Sequence, residues 1–290
     1  MTSSWMLVAG LLFAAAGVFV KLGSTDFSAA ELTFYRSAFT VAFAAAVVWR
    51  MPGATVRTKH IGAHLMRGIM GAVSLLGFYY AITKLPLATA QTLNYTSPIF
   101  LAIGTTVVLR ERFSGLLLGA VVLGFAGVAM LLQPNFQVGT EGPAVIGLFS
   151  GVIAAWAYLS VRMLGRLGEP DYRVVFWFGM TATVFAGAWQ LAIGGFHPVR
   201  WHNAWIIAGL GVSGFLAQMA LTRAYRTGNT LVVGAYSYSA VVFATVATIA
   251  IWDERLGWLE WGGMAVIIAS GILAMRAERK AKVEEGGFDN

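Results

Sequence analysis

The chain has 290 residues, of which 58% are hydrophobic and only 11% charged, with a formal net charge of +7. An ordinary soluble domain carries roughly 25% charged residues. The composition therefore excludes a soluble globular enzyme and a disordered chain, and the absence of cysteine excludes a disulfide-stapled secreted protein.

A mean hydropathy of +0.72 points to an all-α membrane protein. A helix needs about 20 apolar residues to cross the hydrocarbon core. Ten such spans can be placed, over 4–22, 29–49, 61–83, 85–109, 113–132, 143–161, 172–193, 201–221, 230–252 and 258–275. They divide the chain into two halves, 1–138 and 139–276, and leave a charged tail, 277–290, expected to be mobile. The first span lacks the basic leader of a cleaved signal peptide, because Met1 to Ser4 carry no charged side chain.

Taken in chain order, the second span holds Arg36 about two turns deep. Two readings stay open for it: binding a carboxylate, or snorkelling to the outer surface. The third span offers Ser74, Phe78, Tyr79 and Tyr80. The fourth carries Pro98, which has no N–H and frees the carbonyl of Asn94. At bilayer depth that carbonyl must face protein or a wet cavity. Gln91, Asn94, Tyr95 and Pro98 share one helical face, which contacts substrate or else bonds neighbouring helices. The sixth span offers Trp156 and Ser160, with Tyr158 nearby. The eighth offers Gln218, Thr222 and Tyr225, and the ninth offers Tyr236 to Ser239, Tyr238 among them. Together these predict a central cavity that is aromatic, amide-bearing and nearly uncharged. Glu111–Arg112 and Glu254–Arg255 are expected to pin the ends of the fourth and ninth spans.

With the N-terminus in the cytoplasm, fifteen of the twenty Lys and Arg fall on the inner side, Arg67, Arg223 and Arg226 among them. Four fall outside: Lys21, Lys84, Arg200 and Arg255. This bias places both termini in the cytoplasm. The positive charge then reflects topology and contact with membrane lipid, not nucleic acid.

Sliding the chain over itself by 143 residues aligns Gly68 with Gly211, Gly71 with Gly214, Tyr95 with Tyr238 and Glu111 with Glu254. A shift of 141 aligns Gly10 with Gly151. Each half holds five spans, an odd number, so the second copy enters the membrane inverted. Ten transmembrane helices arranged as two inverted five-helix repeats around a central cavity are the mark of a secondary transporter.

What is missing narrows this further. No Asp or Glu falls mid-span, so no carboxylate proton relay is visible. There is no ATP-binding motif. His60 and His64 have helical spacing without an acidic or thiol partner in the sequence, so no metal or other cofactor is expected, and no catalytic constellation is present.

The run Leu85-Pro86-Leu87-Ala88-Thr89-Ala90, followed by Tyr95-Thr96-Ser97-Pro98-Ile99-Phe100 and Glu111-Arg112, resembles the drug/metabolite transporter superfamily of EamA type, as does Phe34-Tyr35-Arg36. Within it the chain is similar to the aromatic amino acid exporters of bacterial inner membranes. The resemblance implies a ten-helix basket whose cavity is lined by the third, fourth, eighth and ninth spans, helped by the first and sixth. It implies export of amino acids, aromatic ones included, and related metabolites. Many relatives have a proline where this chain has Val241, so the ninth span is expected to run straighter than the fourth. A carrier of drug-like or other small metabolites, or a non-transporting scaffold, are the alternatives, and the oligomeric state stays open.

Overall fold

A computed structural model describes residues 2–85, 87–109, 115–133, 139–252 and 257–286, and its regular structure is helical throughout. In chain order the helices are α1 (Trp5–Gly23), α2 (Ala29–Arg50), α3 (Ile61–Lys84), α4 (Leu87–Asn94), α5 (Ser97–Leu109), α6 (Gly115–Leu132), α7 (Glu141–Arg166), α8 (Asp171–Ile193), α9 (Trp201–Thr227), α10 (Thr230–Ser237), α11 (Ser239–Trp252) and α12 (Trp258–Gly286). Among the described residues nine helical stretches are long and apolar enough to cross a bilayer, with α10 and α11 counted as one.

The fourth expected span is the exception, because it is two short helices. Pro98 supplies no N–H at the register where Asn94 O would accept. The chain turns tightly instead, with Thr96 N donating to Leu93 O at 3.4 Å and Ile99 N donating to Thr96 O at 3.0 Å. The freed Asn94 carbonyl lies against the backbone of Gly151 in α7. In the second half only Tyr238 is left out between α10 and α11, and it keeps helical dihedrals of φ −63° and ψ −19°. Val241 N still donates to Tyr238 O at 3.0 Å. The two interruptions are in register across the 143-residue repeat, and the one with proline is the deeper.

Much of the helix pairing is repeated when the halves are exchanged, although α7 on α9, and α10 on α5 and α6, have no counterpart. α6 packs on α12, and α2 on α8. α3 packs on α7 as α9 packs on α1, and α3 meets α8 as α9 meets α2. The α4–α5 pair leans on α7 as α10–α11 leans on α1. Glycines permit these approaches. A Cβ on Gly151 would stand 2.9 Å from Leu93 O and 3.0 Å from Asn94 O, and one on Gly10 would stand 2.8 Å from Ser239 Oγ. Close backbone contact of this kind is how helices associate where lipid removes the hydrophobic drive.

Two buried carboxylates pin the ends. Glu31 closes the capping box at the start of α2, accepting from Ser28 N at 2.7 Å. It also meets His197 Nδ1 at 2.9 Å, in the segment before α9. Glu169, just before α8, accepts from Thr58 Oγ1 at 2.5 Å and Arg173 Nη1 at 2.8 Å. His64 Nε2 lies 3.3 Å away from it. Each carboxylate ties the entry to the second helix of one half to the segment preceding the third helix of the other.

The residues expected to pin the fourth and ninth spans, Glu111–Arg112 and Glu254–Arg255, lie outside the described residues. Helix α12 continues to Gly286, into the stretch expected as a tail. Its last turns are rich in Ala, Glu, Lys and Arg, which favour helix on their own. Trp49, Trp201 and Trp258 at helix ends are among the most exposed side chains, at 84%, 95% and 93%, as an interfacial belt requires.

Candidate functional site

A cavity of about 770 Å³ lies between the two halves. α1 contributes Phe13, Ala14 and Gly17 to its wall, α3 contributes Arg67, Ser74, Phe78 and Tyr79, and α7 contributes Ala154 and Tyr158. Gln218 and Leu221 of α9 face Ser237, Ala240 and Val241 of α10–α11 across it. At one end the wall reaches Lys21 and Ser24, both exposed, and Glu260 at the start of α12. At the other end Met6 and Leu221 are buried. Below them Tyr158 stacks on Tyr225, with ring centroids 4.8 Å apart and planes 11° apart.

Nine of the uncharged side chains singled out for the cavity in the sequence line this wall: Ser74, Phe78, Tyr79, Gln91, Asn94, Tyr95, Tyr158, Gln218 and Ser237. The break between α4 and α5 delivers three of them, since the chain turns where Asn94 and Tyr95 face inward. Asn94 Nδ2 donates to Ser150 Oγ at 3.0 Å. Ser150 Oγ donates onward to Gly147 O at 2.6 Å, and Ser74 Oγ donates to Ser150 O at 2.9 Å. Gln218 Nε2 donates to Thr222 Oγ1 at 3.3 Å.

The others stand outside the lining. Tyr80 follows Tyr79 by one residue, so helical rotation carries it to the outer surface, where it is 41% exposed. Trp156, two residues before Tyr158, is also 41% exposed. Ser160 Oγ is turned back to Trp156 O at 2.8 Å. Pro98 packs toward Gly234 of α10. Thr222 is fully buried beside Gln218, Tyr225 lies beneath Tyr158, and Tyr238 is fully buried, with its ring centroid 6.2 Å from that of Tyr95.

The expectation of a nearly uncharged chamber is corrected. Arg36 and Arg67 both line it. The Arg67 guanidinium lies 4.3 Å from the centre of the Phe178 ring, and that of Arg36 lies 5.7 Å from Phe13. Arg67 stands six residues after the start of α3, so counting by sequence position assigns it to the inner surface. A glycine one turn later, Gly71, leaves its side chain room to lie along the helix toward the cavity. The Arg67–x3–Gly71 spacing was the available signal. Phe13 and Phe178 carried none, since aromatic residues are spread through the whole chain.

Broken helices, paired halves and a mid-bundle cavity define the class: a multi-pass membrane transporter fold. The sequence matches the EamA-like transporter family over residues 1–133 and again over 143–276, and the chain belongs to that family. It is 29% identical over 282 residues to the pseudopaline exporter CntI of Pseudomonas aeruginosa, covering 93% of this chain and 92% of that one. It is 25% identical to a riboflavin transporter of Rhizobium johnstonii, covering 95% and 91%. It is 23% identical to human solute carrier family 35 member G1, covering 92% and 77%. A solved crystal structure superimposes with a TM-score of 0.81 at 19% identity, covering 94% of this chain and 98% of that one, which establishes the fold. The relatives are transporters with different cargoes, so membership fixes the kind of protein and leaves the substrate to the cavity.

Proposed function

We propose that this protein is a secondary transporter that exports amino acids, aromatic ones included, and related metabolites across a bacterial inner membrane by alternating access. The observation that carries this is the cavity, blind at Met6 and Leu221 and open at Lys21, Ser24 and Glu260. In the orientation favoured by the Lys and Arg bias, with both termini cytoplasmic, the mouth faces outward. Two inverted repeats, 1–138 and 139–276, are the moving halves. The partly repeated helix pairing supports this, because two similar halves that differ in a few contacts can exchange conformations, which converts an outward mouth into an inward one.

The wall suits such cargo. Tyr79, Tyr95 and Tyr158 offer ring faces, while Gln91, Asn94 and Gln218 offer amides to a polar head. Carriage of other small metabolites is the second reading, favoured by the differing cargoes in the relatives' names.

Purified protein in liposomes loaded with labelled phenylalanine, tryptophan or leucine tests the proposal. Release faster than from protein-free vesicles is expected for the aromatic pair. If no amino acid moves faster while riboflavin does, the amino acid reading falls and the metabolite reading replaces it.

A further inference from the structure

We infer that Arg67 and Arg36 form a carboxylate receptor inside the cavity, so that the substrate class is an organic carboxylate whose apolar body lies along the aromatic wall. This rests on reading the cavity as the substrate chamber. Arg67 is 2% exposed, and its Nε and Nη1 are buried without a hydrogen-bond partner. A buried guanidinium with unfilled donors is costly, and an anion from outside the chain is what completes it. Its face rests on Phe178 at 4.3 Å, so a ligand would meet it at the guanidinium edge.

Arg36, from a different helix, lines the same chamber at 7% exposure. Among the described lining residues Glu260 is the one acid, and it stands at the mouth. Its Oε2 already accepts from Gly257 N, so it does not neutralise the deep arginines. The remaining cation of the described lining, Lys21, is also at the mouth. A planar carboxylate matches the edge of a guanidinium in a bidentate pair.

The fold makes room for both cations by the same device. A Cβ on Gly214 would stand 2.8 Å from Arg36 Nε. One on Gly71 would collide with the Arg67 guanidinium and stand 2.7 Å from Phe178 Cε2. These two glycines are partners across the 143-residue repeat. Each half thus clears one site for a cation that none of the described acids neutralises.

The test is equilibrium binding to the purified full chain in detergent. The probes are 3-phenylpropionate, L-phenylalanine and succinate, each against its amide, with phenyl phosphate added. At least one acid is expected to bind, its amide roughly tenfold or more weaker, as loss of a charge-assisted pair dictates. Arg67→Gln and Arg36→Gln are expected to erase the preference for acid over amide without lowering the melting temperature, and Arg67→Lys to restore part of it. Absence of binding by every acid, equal binding of acid and amide, preference for phenyl phosphate, or an unchanged acid preference in both Gln variants overturns the assignment. If Arg67→Gln does not fold, Arg36→Gln and the wild-type preference decide. Acid-selective binding without amino acid flux sinks the amino acid reading and leaves this one standing. Flux with equal binding of acid and amide does the reverse.

Discussion

The side-chain amide of Asn94 donates to Ser150 Oγ at 3.0 Å, joining the end of α4 to α7 at the point where the fourth span breaks. The same residue lines the cavity. It therefore has two roles that mutation can separate. Asn94→Ala removes one hydrogen bond and leaves Ser150 bonded to Gly147 O, a loss of about 1 kcal/mol. Expression and melting temperature are expected to change little, while transport into or out of liposomes falls severalfold. Unchanged flux would make Asn94 a packing residue.

Gln218 differs in having Thr222 as its bonding partner, on its own helix. Its amide does not join two helices through that bond, so its removal tests substrate contact more directly. Gln218→Ala is expected to reduce flux with a stability cost of about 1 kcal/mol, from the buried Thr222 hydroxyl left behind. A variant as active as the parent would rule out the contact.

Gly151 and Gly10 have no room for a methyl group. A Cβ on Gly151 meets two carbonyls at 2.9 and 3.0 Å, and backbone cannot swing aside as a side chain can. Alanine at either position is expected to destabilise by about 1–3 kcal/mol, seen as a lower melting temperature in detergent. Gly119, with nothing within 4 Å of its added Cβ, is the control. Its alanine variant is expected to be neutral or slightly more stable. Equal effects at all three sites would contradict the close approach.

Glu169 gives the acid dependence. Burial raises its pKa, but hydrogen bonds from Thr58, Arg173 and His64 outweigh that and hold the carboxyl below its usual value of 4.5. A carboxylate depressed on folding stabilises above its unfolded pKa, and the contribution is lost as pH falls through the lower folded value. The wild-type melting temperature is thus expected to fall more steeply than that of Glu169→Gln between pH 5 and pH 3, a window set around 4.5 by that direction of shift. Parallel curves would show that the carboxylate does not tie Thr58 to α8 in solution.

Much of the architecture was legible before any coordinates. The pairs Gly10 with Gly151 and Gly71 with Gly214 marked the repeat, and the structure gives their reason. One pair lets a helix lie against each interruption, and the other clears space for each arginine. Pro98 announced the broken fourth span because a missing N–H acts locally. The identity of the wall was less legible. Tyr79 and Tyr80 are neighbours of one residue type, yet one lines the cavity and the other faces outward. Nothing in the sequence singles out Glu31 and Glu169, which tie the halves together at the helix entries.

The sequence by itself determined the membrane class, the number of apolar segments, the duplication and the site of the proline break, because each follows from composition or from bonding within a few residues. Only the tertiary structure decided which face of each helix turns inward and that Arg67 enters the chamber. The physical reason is that lipid and protein interior are both apolar. No polar stripe marks the buried side of a spanning helix, and the inward face is chosen by packing partners more than a hundred residues away.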